Sequence, residues 1–149
     1  MVRQNVVVDN DRCSIARALG VVGERWSLLV VRDVVNGVRR FEELREHLGV
    51  ARNVLSRRLA ELVDAGLLDR VAYREFGSRE RYEYALTPAG RDLWPVLMTL
   101  MAWGDRHLAD GPPPVEHEHL GCGGKVALVP VCEHGHDVDP ADLGLRLGR

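Results

Sequence analysis

Between Ala51 and Arg58 the sequence places Arg52, Asn53, Ser56, Arg57 and Arg58, three arginines with no acid among them. A guanidinium fork matches phosphate oxygens and the guanine edge, and an Asn amide matches the adenine edge, so these residue types at one end of a helix suit a DNA groove. The acids Glu61 and Asp64 come at the far end. The helix dipole favours the opposite order, acids early and bases late. Such a helix is not arranged for its own stability, but it is well arranged to turn one end toward DNA, where phosphate neutralisation supplies most of the affinity. The plain alternative is a solvated amphipathic helix. Arg74, Arg79 and Arg81 gather around a later turn, as a wing tip entering a minor groove would require. Glu75 and Glu80 keep that turn only modestly positive. Arg39 and Arg40 stand where they can meet backbone phosphates.

A second group of reactive residues lies outside this region. Cys13 opens a helix, with Arg12 and Arg17 near it in sequence. Helix N-termini and cations lower a thiol pKa and make it a redox-sensing candidate. Asp9 and Asp11 oppose this, and a small buried core residue is the bland alternative. The tail carries His117, His119, Cys122, Cys132, His134 and His136. Within it, His119-x2-Cys122 and Cys132-x3-His136 have spacings compatible with tetrahedral zinc, joined by a strand-like KVALVPV. Against zinc, Gly135 stands where a second pair's cysteine would fall, and a small hairpin with a histidine-rich edge, or a partly disordered tail, accounts for the same residues. No cofactor is required, and zinc in the tail is the one candidate. An enzyme using the tail as an open metal site is disfavoured, because the chain has no HExxH and no paired carboxylates in a plausible pocket.

The elements that must position these residues follow from periodicity. Residues 1–12 read as an arm. Ile15, Ala18, Leu19 and Val22 form one helical stripe, and Arg25–Asn36 a second, more apolar helix ended by Gly37. Phe41–Leu48 and Ala51–Ala65 are helices separated by a tight connection at Gly49-Val50, the spacing of a helix-turn-helix. Leu68–Arg74 and Glu80–Leu86 alternate as strands around Phe76-Gly77-Ser78-Arg79, which predicts a wing. Thr87-Pro88 then starts a helix running to about His107, with Pro95 inside it, where it should cost an internal hydrogen bond or kink the helix. Its stripe is Leu93, Val96, Leu97, Leu100 and Met101, with Leu93, Leu97, Leu100 and Met101 as dimerisation residues, and Gly111-Pro112-Pro113-Pro114 closes a domain over 13–110, leaving 111–149 as the tail. The expected fold is thus mainly α with a small β-hairpin.

Bulk properties are those of one globular domain with an appendage: 149 residues, 46% hydrophobic, 28% charged. Charge is uneven. Residues 37–82 carry ten Arg against eight acids, whereas 83–149 carry five basic residues against ten acids. A basic middle and an acidic end fit a DNA-facing surface and a partner-facing one. Nineteen of the twenty basic residues are Arg, which GC-biased codons would also produce. There is no run of about 18 apolar residues and no signal-peptide pattern, so the expected location is cytoplasmic, where the three cysteines stay reduced.

In order and spacing, several fragments resemble the HxlR-type winged helix-turn-helix regulators. They are Cys13 with Ala16 and Leu19, Gly23-Glu24-Arg25-Trp26-Ser27-Leu28-Leu29, Arg32-Asp33, Gly37, Arg40-Phe41-Glu42-Glu43-Leu44, Leu55-Ser56-Arg57-Arg58-Leu59 with Leu62, Gly66-Leu67, Tyr82 to Gly90, and Trp103-Gly104. The resemblance covers about Cys13 to Gly104. It implies a homodimer whose terminal helices pair, two recognition helices reading half-sites in double-stranded DNA, and control of a neighbouring gene. It also implies that some relatives sense oxidants through a cysteine at the position of Cys13. One departure is Ala51, where the family usually opens the recognition helix with Ser or Thr. The lost cap costs about 1 kcal/mol, or Asn53 starts the helix instead. Trp26, Trp94 and Trp103 could line a small-molecule effector pocket, but aromatic residues in such places are more often core. The competing function is a winged helix used only to bind protein.

Overall fold

The computed structural model describes residues 9–74, 76–77 and 79–144. The expected 1–12 arm therefore falls mostly outside the described residues, as do Glu75 and Ser78 at the hairpin tip. The chain divides into two compact units, residues 14–97 and residues 98–149 with 1–13. The boundary falls at Leu97–Met98, ahead of the proline run at 112–114.

In the first unit the order is α1 (Ser14–Val22), α2 (Arg25–Val35), α3 (Phe41–Leu48), α4 (Arg52–Asp64), β1 (Leu68–Tyr73), β2 (Arg81–Leu86), α5 (Pro88–Arg91) and the start of α6 (Trp94–His107). The strands form one antiparallel hairpin in register from Leu68↔Leu86 to Tyr73↔Arg81. The architecture is mainly helical with a two-stranded wing, as the periodicity predicts. Among the described residues no helix is long and apolar enough to cross a membrane.

The core gathers one stripe from each element: Val30, Val31 and Val34 of α2, Leu44 of α3, Leu55, Leu59 and Leu62 of α4, and Leu68 of β1, with Val50 from the connection. Each such side chain stabilises the fold by about 1.5–3 kcal/mol relative to exposure. Together they hold α4 against α2 and the root of the wing. The three-residue connection between α3 and α4 reverses direction at Gly49, whose φ of 62° is the left-handed conformation that ends α3.

The expected helix from Thr87 to His107 is two helices. Thr87 caps α5, its hydroxyl accepting from the Gly90 N–H at 3.0 Å and donating to the Gly66 carbonyl at 2.6 Å. Gly90 sits so close to the β1 approach that a Cβ there would lie 2.1 Å from the Leu67 carbonyl oxygen. The chain then breaks at Asp92-Leu93 and restarts at Trp94. Pro95 consequently occupies the first turn of α6, where its missing N–H removes no helical hydrogen bond, and the expected kink does not arise.

Described by itself, the second unit contains most of α6 and the tail. The KVALVPV segment forms no strand; the tail holds the isolated bridges Glu118↔Lys125 and Val131↔Asp137 and a 3-10 turn at Pro140–Asp142.

Candidate nucleic-acid interface

The buried stripe of α4 defines what is left to solvent. Arg52, Asn53, Ser56, Arg57 and Ala60 are exposed, and at helical spacing they form one continuous face. No acid stands in the first turn. Ala51 is the N-cap, in extended conformation and without a side-chain hydrogen bond, so the helix starts at Arg52 rather than Asn53. An uncapped N-terminus leaves first-turn N–H groups for an outside acceptor, the arrangement that binds phosphate elsewhere.

One expected DNA contact is overturned. Arg58 is only 8% exposed, and its guanidinium pairs with Glu61 one turn on. Its position explains this: Leu55, Arg58, Leu59 and Leu62 are spaced i, i+3, i+4, i+7, so Arg58 lies on the core stripe and buries its aliphatic stem. Arg57, on the solvent face, approaches Glu61 only at 4.0 Å with its side chain two-thirds exposed. A loose exposed pair of this kind contributes little and leaves the guanidinium available.

Arg52 is more constrained. Its Nη2 donates to Glu42 Oε1 at 2.5 Å, and its guanidinium lies 5.2 Å from the Phe41 ring centre. Arg45 Nε donates to the other Glu42 oxygen at 2.9 Å. Arg45 and then Arg52 hold the Glu42 carboxyl below its ordinary pKa. A phosphate must compete with Glu42 for Arg52.

The pair α3–α4 is tied to the scaffold through Asp33. This α2 carboxylate is fully buried, and it accepts from Arg32 Nε at 2.8 Å and lies 2.6 Å from His47 Nδ1 near the end of α3. A buried charge is tolerated when partnered in this way, and the tie fixes α3, and through its short connection α4, against α2.

On the wing, Arg74, Arg79 and Arg81 are exposed. Phe76, at the tip between them, is also fully exposed. Sequence reasoning missed it, though an aromatic residue inside a basic turn is itself a signal for an apolar wedge. Arg70 stacks over Tyr82 at 3.7 Å and Arg40 over Tyr73 at 4.6 Å. Arg40 is thus packed on the face of the hairpin, and Arg39 lines a groove beside Trp94.

The expected dimerisation residues divide. Leu93 and Leu97 pack against the core, whereas Leu100 is 51% exposed and Met101 is half-buried. The row that α6 exposes is Val96, Leu100 and Trp103; the first two belong to the expected stripe. The α1 stripe is also open, at Ile15 and Leu19.

Cys13 is a free, half-buried cysteine just before α1. In the tail, His119 Nδ1 lies 3.3 Å from Cys122 Sγ. Cys132 and His136 are paired through the backbone, and the peptide N–H groups of His136 and His134 lower the Cys132 thiol below its usual pKa. The four residues form two local turns, and among the described residues no three His, Cys, Asp or Glu side chains gather as a metal site.

Comparison with known proteins agrees with this geometry. The model of the HxlR-like helix-turn-helix family matches residues 21–112. The chain is 47% identical over 123 residues to the HTH-type transcriptional regulator Rv3095 of Mycobacterium tuberculosis, covering 81% of this chain and 76% of that one. The crystal structure of the transcription factor PA1607 superposes with a TM-score of 0.80 at 34% identity, over 93% of this chain and 95% of the other. The oxidised form of the redox regulator HypR aligns with a TM-score of 0.59 at 28% identity, over 65% and 99%. With its helix-turn-helix, its wing and these relatives, the chain is a transcriptional regulator rather than an enzyme, and it belongs to the HxlR-like helix-turn-helix family.

Proposed function

We propose that this regulator binds a defined duplex DNA operator as a homodimer, inserting the N-terminal turn and exposed face of α4 into the major groove while the wing meets the flanking backbone or minor groove. The observation that carries this is the continuous exposed face Arg52, Asn53, Ser56 and Arg57 at an acid-free, uncapped helix end. A symmetric dimer is supported by the apolar stripes that α1 and α6 leave open, since isolated chains rarely expose such rows without covering them. Selection of bound duplexes from a random pool tests the proposal. It should yield a palindrome with half-sites about one helical turn apart. Failure to enrich any sequence would favour a winged helix that binds protein alone.

Control by oxidant is a second element of this reading, supported by Cys13 at the start of α1 and by the likeness to a redox regulator. Hydrogen peroxide should change operator affinity in the native chain and leave Cys13→Ser unaffected; equal responses would remove Cys13 from the mechanism. Zinc in the tail would require the His119–Cys122 and Cys132–His136 turns to close on one ion. One equivalent of zinc lost in Cys122→Ser supports it, and metal-free native protein ends it.

A further inference from the structure

The first compact unit contains a groove of about 660 Å³ lined by Val34, Val35, Arg39, Ala85, Leu86, Arg91 and Trp94. Its size falls in the range of small-molecule sites. The lining has two parts. Val34, Val35, Ala85, Leu86 and the Trp94 indole make an apolar wall, whereas Arg39 and Arg91 bring two positive charges and no acid joins them. Arg91 is held in place, its Nη1 donating to the Leu86 carbonyl at 2.8 Å. The Arg39 backbone is fixed too, because its carbonyl accepts from the Tyr84 N–H at 2.9 Å. No acceptor among the described residues takes the Arg39 guanidinium, although Glu42, Glu43 and Glu83 are near it in sequence or across the bridge. Of the three tryptophans, Trp94 alone lines this groove; Trp26 packs against the core and Trp103 is exposed.

We propose that this groove binds an amphipathic carboxylate, its ring or alkyl body against Trp94, Val35 and Leu86 and its carboxylate on the Arg39 and Arg91 guanidiniums. A planar guanidinium takes a carboxylate in a two-pronged bond. The apolar wall separates this ligand from free phosphate, which would gain nothing from it, and the two charges separate it from a neutral aromatic. The site lies against the end of β2, at the root of the wing, but binding itself requires no DNA, so it is measured independently of the regulator's operator.

Isothermal titration calorimetry of the full chain with 1-naphthoate, 1-naphthamide and inorganic phosphate tests the assignment. Saturable binding of 1-naphthoate is expected. The neutral amide should bind about tenfold more weakly or not at all, as loss of a charged hydrogen-bond partner implies. Arg39→Gln should weaken 1-naphthoate by a similar factor, and Arg39→Lys should recover part of it. Absence of saturable binding overturns the proposal. So does equal binding of the amide, which needs no variant to observe, or displacement of 1-naphthoate by phosphate at equal concentration.

Discussion

Two adjacent arginines on α4 have opposite roles. Arg57 stands on the solvent face, and Arg58 lies among Leu55, Leu59 and Leu62 with its charge on Glu61. Arg58→Ala should lower stability by about 1–2 kcal/mol through lost packing of the stem, whereas Arg57→Ala should leave the melting temperature unchanged. Thermal unfolding of the two variants side by side checks this, and equal melting temperatures would contradict it. The distinction was legible in the sequence, because the i, i+3, i+4, i+7 spacing places position 58 on the apolar stripe. Residue type, which suggests a DNA contact, points the other way, and the period prevails because α4 has only one face to give to the core. The Glu42 clasp on Arg52 was not legible, since it joins residues ten apart across a turn whose angle the sequence does not specify.

At the scale of elements, the helix-turn-helix and the wing were readable from period alone. The 3.6-residue stripes of α2 to α4 and the alternation of β1 and β2 leave few other solutions. The split of the terminal helix was not readable, because Pro95 is compatible with a kink or with a first turn. The choice depends on Thr87 and Gly90 locking α5 under the Gly66–Leu67 turn. Leu93 and Leu97, expected in a dimer seam, pack against the core. The tie between α2 and α3 is the most consequential long-range contact here. Asp33→Ala removes the buried acceptor shared by Arg32 and His47, whose own side chains reach solvent. Loss of these hydrogen bonds should cost about 1–3 kcal/mol, with urea unfolding as the readout, and a loss below experimental error would show that Asp33 does not hold the recognition unit.

For the whole molecule, the open rows on α1 and α6 are the least expected feature of an isolated chain. Paired with a second copy they would bury apolar area, and a two-fold pair of α4 helices is how a symmetric regulator reads a palindrome. Leu100→Asp should therefore convert dimer to monomer in sedimentation velocity, since it places an unpaired charge in the seam; an unchanged dimer would move the interface elsewhere.

The exposed N-terminal face of α4 is the surface proposed to contact DNA. Fluorescence anisotropy with a selected operator duplex, titrated across salt concentrations for the native chain and the Asn53→Ala/Arg57→Ala double variant, tests it most directly. Each lost contact should cost about 1–3 kcal/mol. The double variant should thus bind at least about tenfold more weakly and with a shallower salt slope, at unchanged thermal stability. Equal affinity and equal slope for the two proteins would mean that this face of α4 does not touch DNA.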